Sequence, residues 1–131
     1  TGNSCRSQMA EAFLRAYGGE RFEVFSAGTQ PSVINPWTYR AMAELGLDLA
    51  GQYSKNVEVY RGVVDFDIVI TVCGEANEAC PAYLGKAGQR LHWAFEDPAK
   101  FAGTEEETLA KFRQVRDAIS ARVKDWLQTG N

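Results

Sequence analysis

Thr1-Gly2-Asn3-Ser4-Cys5-Arg6-Ser7 runs directly into a helical pattern that starts near Gln8. Small residues, a thiol, an arginine and a hydroxyl stand immediately before the helix start. Backbone N–H groups in such a loop, with the positive end of the helix dipole, make a site for a tetrahedral oxyanion. Arg6 adds a planar fork of donors that binds two oxygens at once, which a lysine ammonium cannot match. The same residues also suit an ordinary capped helix N-terminus, with Ser4 or Ser7 as the cap. The heptapeptide alone leaves both readings open.

Working outward, Met9, Ala10, Phe13, Leu14 and Tyr17 recur at helical spacing, and Gly18-Gly19 stops the run. Phe22 to Ser26 alternates and reads as a strand ended by Ala27-Gly28. After a loop, Pro36 suits the first turn of a helix carrying Tyr39, Met42, Ala43 and Leu45, with Gly46 as its stop. Residues 47–53 read as extended or loop, and 57–62 as a short helix. Phe66 to Val72 is β-branched and apolar on both faces, as a buried parallel strand should be. A loop holding Cys73 and Cys80 follows, then a short strand from Arg90 to Ala94 and a loop from Phe95 to Thr104. The last helix runs from about Glu105 to Leu127. Leu109, Phe112, Val115, Ile119, Val123 and Trp126 form its apolar stripe, and Glu105 to Glu107 complement its N-terminal dipole.

Alternating helices and strands point to a doubly wound α/β sandwich, in which ligands bind beyond the carboxyl ends of the strands. The loops at Thr1, Cys73 and Phe95 all fall at that edge. At 131 residues the chain is expected to form a single domain over residues 1–131, with no linker, internal repeat or low-complexity segment. A net charge of −3 argues against a general nucleic-acid partner, which needs a basic face. No apolar run is long enough to span a membrane. Three cysteines are too few for a disulfide-stapled secreted scaffold, so a cytoplasmic location is expected.

Cys73-Gly-Glu-Ala-Asn-Glu-Ala-Cys80 places two thiols on a segment of small residues. Two unrelated buried cysteines would fit it. So would a redox pair whose loop bends until the thiols meet. No metal is expected, because His92 is the only histidine and there is no second cysteine pair. In Asp97-Pro98, the proline holds Asp97 out of helical geometry and stiffens the loop. The carboxyl can therefore serve as a positioned proton donor, or as part of a solvated turn. Glu96 is the less favoured acid, and His92 and Trp93 read as strand packing. Asn3 and Ser26 would bracket the base of the first loop.

The run from Thr1 to Glu11, Thr-Gly-Asn-Ser-Cys-Arg-Ser-Gln-Met-Ala-Glu, resembles the phosphate loop of the low-molecular-weight tyrosine phosphatase superfamily. It is most similar to the thioredoxin-coupled arsenate reductase branch. The resemblance extends from Thr1 to the last helix and implies a three-layer, doubly wound, parallel four-stranded sheet. The family's loop reads Cys, five residues, Arg, Ser, with the first Cys as nucleophile. Here the five residues are Thr1 to Cys5 and the arginine is Arg6, so the nucleophile would stand one residue before Thr1. On this reading the chain is N-terminally truncated, lacks its first strand, and is expected to be inactive as it stands. Strand exchange between copies would be one compensation.

The resemblance implies roles for the residues named above. Thr1, Gly2, Asn3, Ser4, Cys5, Arg6 and Ser7 would bind arsenate or a phosphate-like oxyanion, with Cys5 structural. Asp97 would be the general acid. Cys73 would attack the arseno-cysteine, and Cys80 would close a disulfide with Cys73, reopened by reduced thioredoxin or by a glutathione–glutaredoxin route. No tightly bound cofactor is expected. Asn3, Glu11 and Ser26 match positions that help bind potassium under the loop in that branch. Lys55 stands at the fourth, where relatives carry an acid, and its ammonium could replace the cation. Two other functions compete: a low-molecular-weight tyrosine phosphatase, which uses no cysteine pair, and a non-catalytic anion-binding fragment.

Overall fold

Helix α1 spans Arg6–Gly18, beginning two residues ahead of the position its apolar pattern predicts. A computed structural model describes residues 3–28, 31–60, 62–73 and 87–130 of the chain. Gly19 ends α1 at φ 60°, its N–H returning to the carbonyl of Arg15. A side chain there would be strained, which is why glycine closes the helix. Helix α2, Pro36–Ala43, starts on Asn35, whose side chain accepts from the N–H of Trp37. Strands β1, Phe66–Cys73, and β2, Ala87–Phe95, follow. Helix α3, Glu105–Thr129, closes the chain. Its Thr104 cap and Glu107 form a reciprocal capping box, each satisfying an N–H of the other.

β1 and β2 pair in parallel, from Phe66 opposite Ala87 to Cys73 opposite Phe95, with a bulge between Thr71 and Cys73. α1 packs on α3 and on β1, and α3 packs on β2. Met9, Phe13, Met42, Phe112, Ile119 and Val123 are fully buried between them. Among the described residues, no helix is long and apolar enough to cross a membrane.

The strands differ from expectation in three respects. Residues 22–26 are extended but carry no ladder; the one pairing in that region is the parallel bridge between Gly28 and Asn56. Of the expected four-stranded sheet, two strands are paired among the described residues. β1, expected to be buried on both faces, is half-buried along most of its length. One feature accounts for all three. A groove of about 490 Å³ separates residues 21–28 from residues 65–73. It touches every residue of both segments rather than alternate ones, so it runs along backbone edges, not along a side-chain face. A strand needs a neighbour about 4.8 Å away to form its ladder, and the groove holds these two edges further apart than that. The short helix read over 57–62 is a single 3-10 turn, Val57–Val59.

Candidate functional site

The site gathers where α1 begins, where β1 and β2 end, and where the chain crosses from Gly28 to Lys55. Neither Ser4 nor Ser7 caps α1. Its N-cap residue is Cys5, which makes no side-chain cap bond. Ser7 Oγ instead accepts from Asn3 Nδ2 at 2.7 Å. The main-chain carbonyl of Ser4 is held from outside the loop, by Asn35 N–H at 3.1 Å and Thr38 Oγ1 at 3.0 Å.

Arg6 is buried. Its Nη1 donates to the carbonyl of Phe95 at 3.1 Å, and its Nη2 lies 3.6 Å from Asp97 Oδ2. Asp97 is the cap of a 3-10 turn, Pro98–Lys100, and its Oδ1 accepts from the N–H of Ala99 at 3.0 Å. Pro98 thus does what the sequence suggested: Asp97 is extended, at φ −85° and ψ 107°, with its carboxyl fixed by the turn it starts. Glu96 points elsewhere, both of its oxygens accepting from Lys111 Nζ.

Cys73 ends β1 opposite Phe95, the residue whose carbonyl holds Arg6. It is disulfide-bonded, and Cys5 is a free, buried thiol. Burial pushes the Cys5 thiol up from its ordinary pKa, with hydrogen bonds from Ser4 and Thr38 pulling weakly the other way. A thiol so placed stays protonated, as a structural cysteine should. Thr1, Gly2 and Cys80 lie outside the described residues.

The loop-support residues do come together. Asn3 has φ 52° and a saturated side chain. Its Nδ2 donates to Ser7 Oγ and to Ser26 Oγ at 3.1 Å, while its Oδ1 accepts from Gln8 Nε2 at 2.9 Å and Lys55 N–H at 3.1 Å. Ser26 Oγ donates to Glu11 Oε1 at 2.5 Å, and Glu11 pairs with Arg15 at 2.8 Å. Lys55 is buried, but its ammonium donates to the carbonyl of Tyr53 at 2.8 Å rather than to Glu11. Desolvation lowers the Lys55 pKa, and the field of Glu11 partly restores it. Among the described residues, no group of three or more His, Cys, Asp or Glu could hold a metal ion.

Sequence reasoning missed Gln8, Gln52, Thr38 and Phe95. Two of them act in part through main-chain carbonyls, which no residue pattern reports. Gln8 left a faint signal: it shares a helix face with Cys5 and Ala12, three before and four after it, and all three are buried.

A buried arginine at a helix start, facing an aspartic acid just beyond the end of a parallel strand, places the chain in a class of α/β proteins that gather charged residues at their strand ends. The chain belongs to the low molecular weight phosphotyrosine protein phosphatase family, whose model matches residues 1–130. It is similar to the arsenate reductase of Halalkalibacterium halodurans, 45% identical over 130 residues, covering 99% of this chain and 92% of that protein. Among solved structures it resembles an arsenate reductase in the phosphate binding state, with a TM-score of 0.78 and 33% identity over 98% of this chain and 92% of that one. It also resembles an arsenate reductase in the oxidized state, with a TM-score of 0.76 and 33% identity over 95% of this chain and 88% of that one.

Proposed function

We propose that this protein reduces arsenate to arsenite by a cysteine relay re-reduced by thioredoxin, serving arsenic detoxification in the cytoplasm. The observation that carries the reading is Cys73. A disulfide-bonded cysteine ends β1 opposite the residue whose carbonyl holds the oxyanion-binding Arg6. A tyrosine phosphatase needs Arg6 and Asp97 but has no use for a redox thiol there.

In this reading the loop amides, the N-terminus of α1 and Arg6 bind arsenate. The nucleophile is the cysteine that the family resemblance places before Thr1. Its thiolate attacks arsenic, and Asp97 gives its proton to the departing hydroxide, which leaves as water. The Cys73 thiolate then attacks the sulfur of the arseno-cysteine. A sulfur–sulfur bond forms, the sulfur–arsenic bond breaks, and its electron pair leaves with arsenic as arsenite. Cys80 attacks Cys73, freeing the nucleophile and leaving the Cys73–Cys80 disulfide for thioredoxin. The groove between residues 21–28 and 65–73 supports one further parallel strand between those edges, which is the arrangement a three-layer, four-stranded sheet requires.

The test is arsenate-dependent oxidation of NADPH through thioredoxin and its reductase, using the chain with a cysteine placed before Thr1. Turnover abolished by Cys73→Ser and by Cys80→Ser is expected. The family match favours a second reading, a phosphotyrosine phosphatase. Hydrolysis of an aryl phosphate that neither substitution affects, with no arsenate turnover, would establish that one instead. Replacing thioredoxin by glutathione and glutaredoxin in the same assay decides the reductant.

A further inference from the structure

Gln8 is fully buried and takes no part in the chemistry described above. Its amide nitrogen carries two hydrogens and faces three acceptors. These are the main-chain carbonyl of Asn3 at 3.0 Å, Asn3 Oδ1 at 2.9 Å and the carbonyl of Tyr53 at 3.1 Å. Its Oε1 accepts from Gln52 Nε2 at 2.8 Å, and the same Nε2 reaches the main-chain carbonyl of Gln8 at 3.1 Å. Gln52 is acting as a donor here, so it can only face the oxygen of the Gln8 amide. That choice turns the Gln8 nitrogen toward Asn3 and Tyr53.

Asn3 is the residue that needs holding. At φ 52° it is in the left-handed region, which is strained for a residue that carries a side chain. Asparagine tolerates that region better than most, but something must still pay for it in contacts. The left-handed residue matters because a change of handedness between neighbours is what points successive N–H groups at one anion. Gln8 reaches both the carbonyl and the side chain of this residue, from one helical turn further along.

We propose that Gln8 is a positioning residue for the oxyanion loop. It fixes the left-handed turn at Asn3, and Gln52 acts through it by setting the direction of its amide. Neither side chain touches the oxyanion. The inference rests on the oxyanion reading for its ligand, whereas the hydrogen-bond relay itself can be tested without one.

The experiment uses the 131-residue chain and the variants Gln8→Met, Gln52→Met and Val123→Ala. Methionine keeps the length and packing of glutamine and removes its hydrogen bonds. Val123, fully buried on α3, is a control for stability lost in the core. Three quantities are measured: affinity for inorganic phosphate by calorimetry, melting temperature, and hydrogen exchange of the Lys55 amide, which donates to Asn3 Oδ1. Gln8→Met is expected to weaken phosphate binding by about tenfold and to speed Lys55 exchange by about tenfold relative to Val123→Ala, each equivalent to about 1.4 kcal/mol. Gln52→Met should change both in the same direction by less. If Gln8→Met matches Val123→Ala in both readouts, Gln8 is a packing residue and the proposal is overturned. Should Gln8→Met fail to fold, Gln52→Met, at a half-buried position, decides by the same readouts. If the parent chain does not bind phosphate, the oxyanion reading fails, and Lys55 exchange alone then decides the relay.

Discussion

Arg6 and Asp97 come from distant parts of the chain and face each other across 3.6 Å. Because Arg6 also donates to the carbonyl of Phe95, its guanidinium is clamped to the end of β2 just before the acid. The arginine that would bind the oxyanion and the acid that would protonate its leaving group are therefore set by one strand end. Cys73 closes the neighbouring strand opposite the same Phe95.

Arg6→Lys is expected to weaken binding of inorganic phosphate by tenfold or more, read by titration calorimetry. Lysine keeps the charge but not the fork that reaches the Phe95 carbonyl and a tetrahedral anion together. Unchanged affinity would mean that charge alone holds the anion.

Asp97→Asn should leave phosphate affinity at least as high as before, since it removes a negative charge close to the anion. With a cysteine before Thr1, the same substitution is expected to slow arsenate turnover by about 10²–10⁴-fold, the usual worth of a general acid. A loss of affinity with little loss of turnover number would place Asp97 in binding instead.

Glu44 gives the fold a pH dependence. A hydrogen bond from Arg113 comes first, and one from Arg116 adds to it, so that the Glu44 carboxyl is pulled down to about 2 from its ordinary value of 4.5. A depressed acid stabilises the fold above its unfolded pKa and loses that contribution as pH falls to the folded one. Glu44→Gln should therefore lower the melting temperature at pH 7, and the gap to the parent should close between pH 4.5 and about 2. A gap independent of pH would show that Glu44 acts by shape, not charge. Salt should narrow it at pH 7, because the group is exposed.

Thr104→Ala removes the capping box of α3 and is expected to cost about 1 kcal/mol in denaturant unfolding. The backbone N–H of Thr104 also holds the Glu107 carboxyl below its ordinary pKa. Thr104→Ser should recover most of the loss, because its hydroxyl caps in the same way.

The elements legible in the sequence were those with a period of their own. The apolar stripes of α1 and α3, the β-branched run of β1 and the glycine at the end of α1 stand where local spacing put them, whereas α2 ends at Ala43, short of the expected Leu45 and Gly46. The segment at residues 22–26 failed, although its alternation was sound, because a strand is a relation between two backbones and the groove lies where the partner edge would be. For the site, the loop, the cysteines and Asp97 could be found as chemical types. Gln8 left only the faint signal of its face-mates Cys5 and Ala12, since a glutamine on a helix ordinarily faces water and the carbonyls it meets are not written in its neighbours.

The sequence by itself determined which residue types are present to bind an anion, form a disulfide or donate a proton, because those properties belong to side chains and to the turn before a helix. Only the tertiary structure decided that Arg6 meets Asp97 and Phe95, that Ser4 is tied to Thr38, and that Asn3 joins Gln8, Ser26 and Lys55. All of those contacts but Asn3–Gln8 link segments far apart in the chain, and their geometry comes from how α1, β2 and the crossing at Gly28 pack together. No spacing along the chain encodes it.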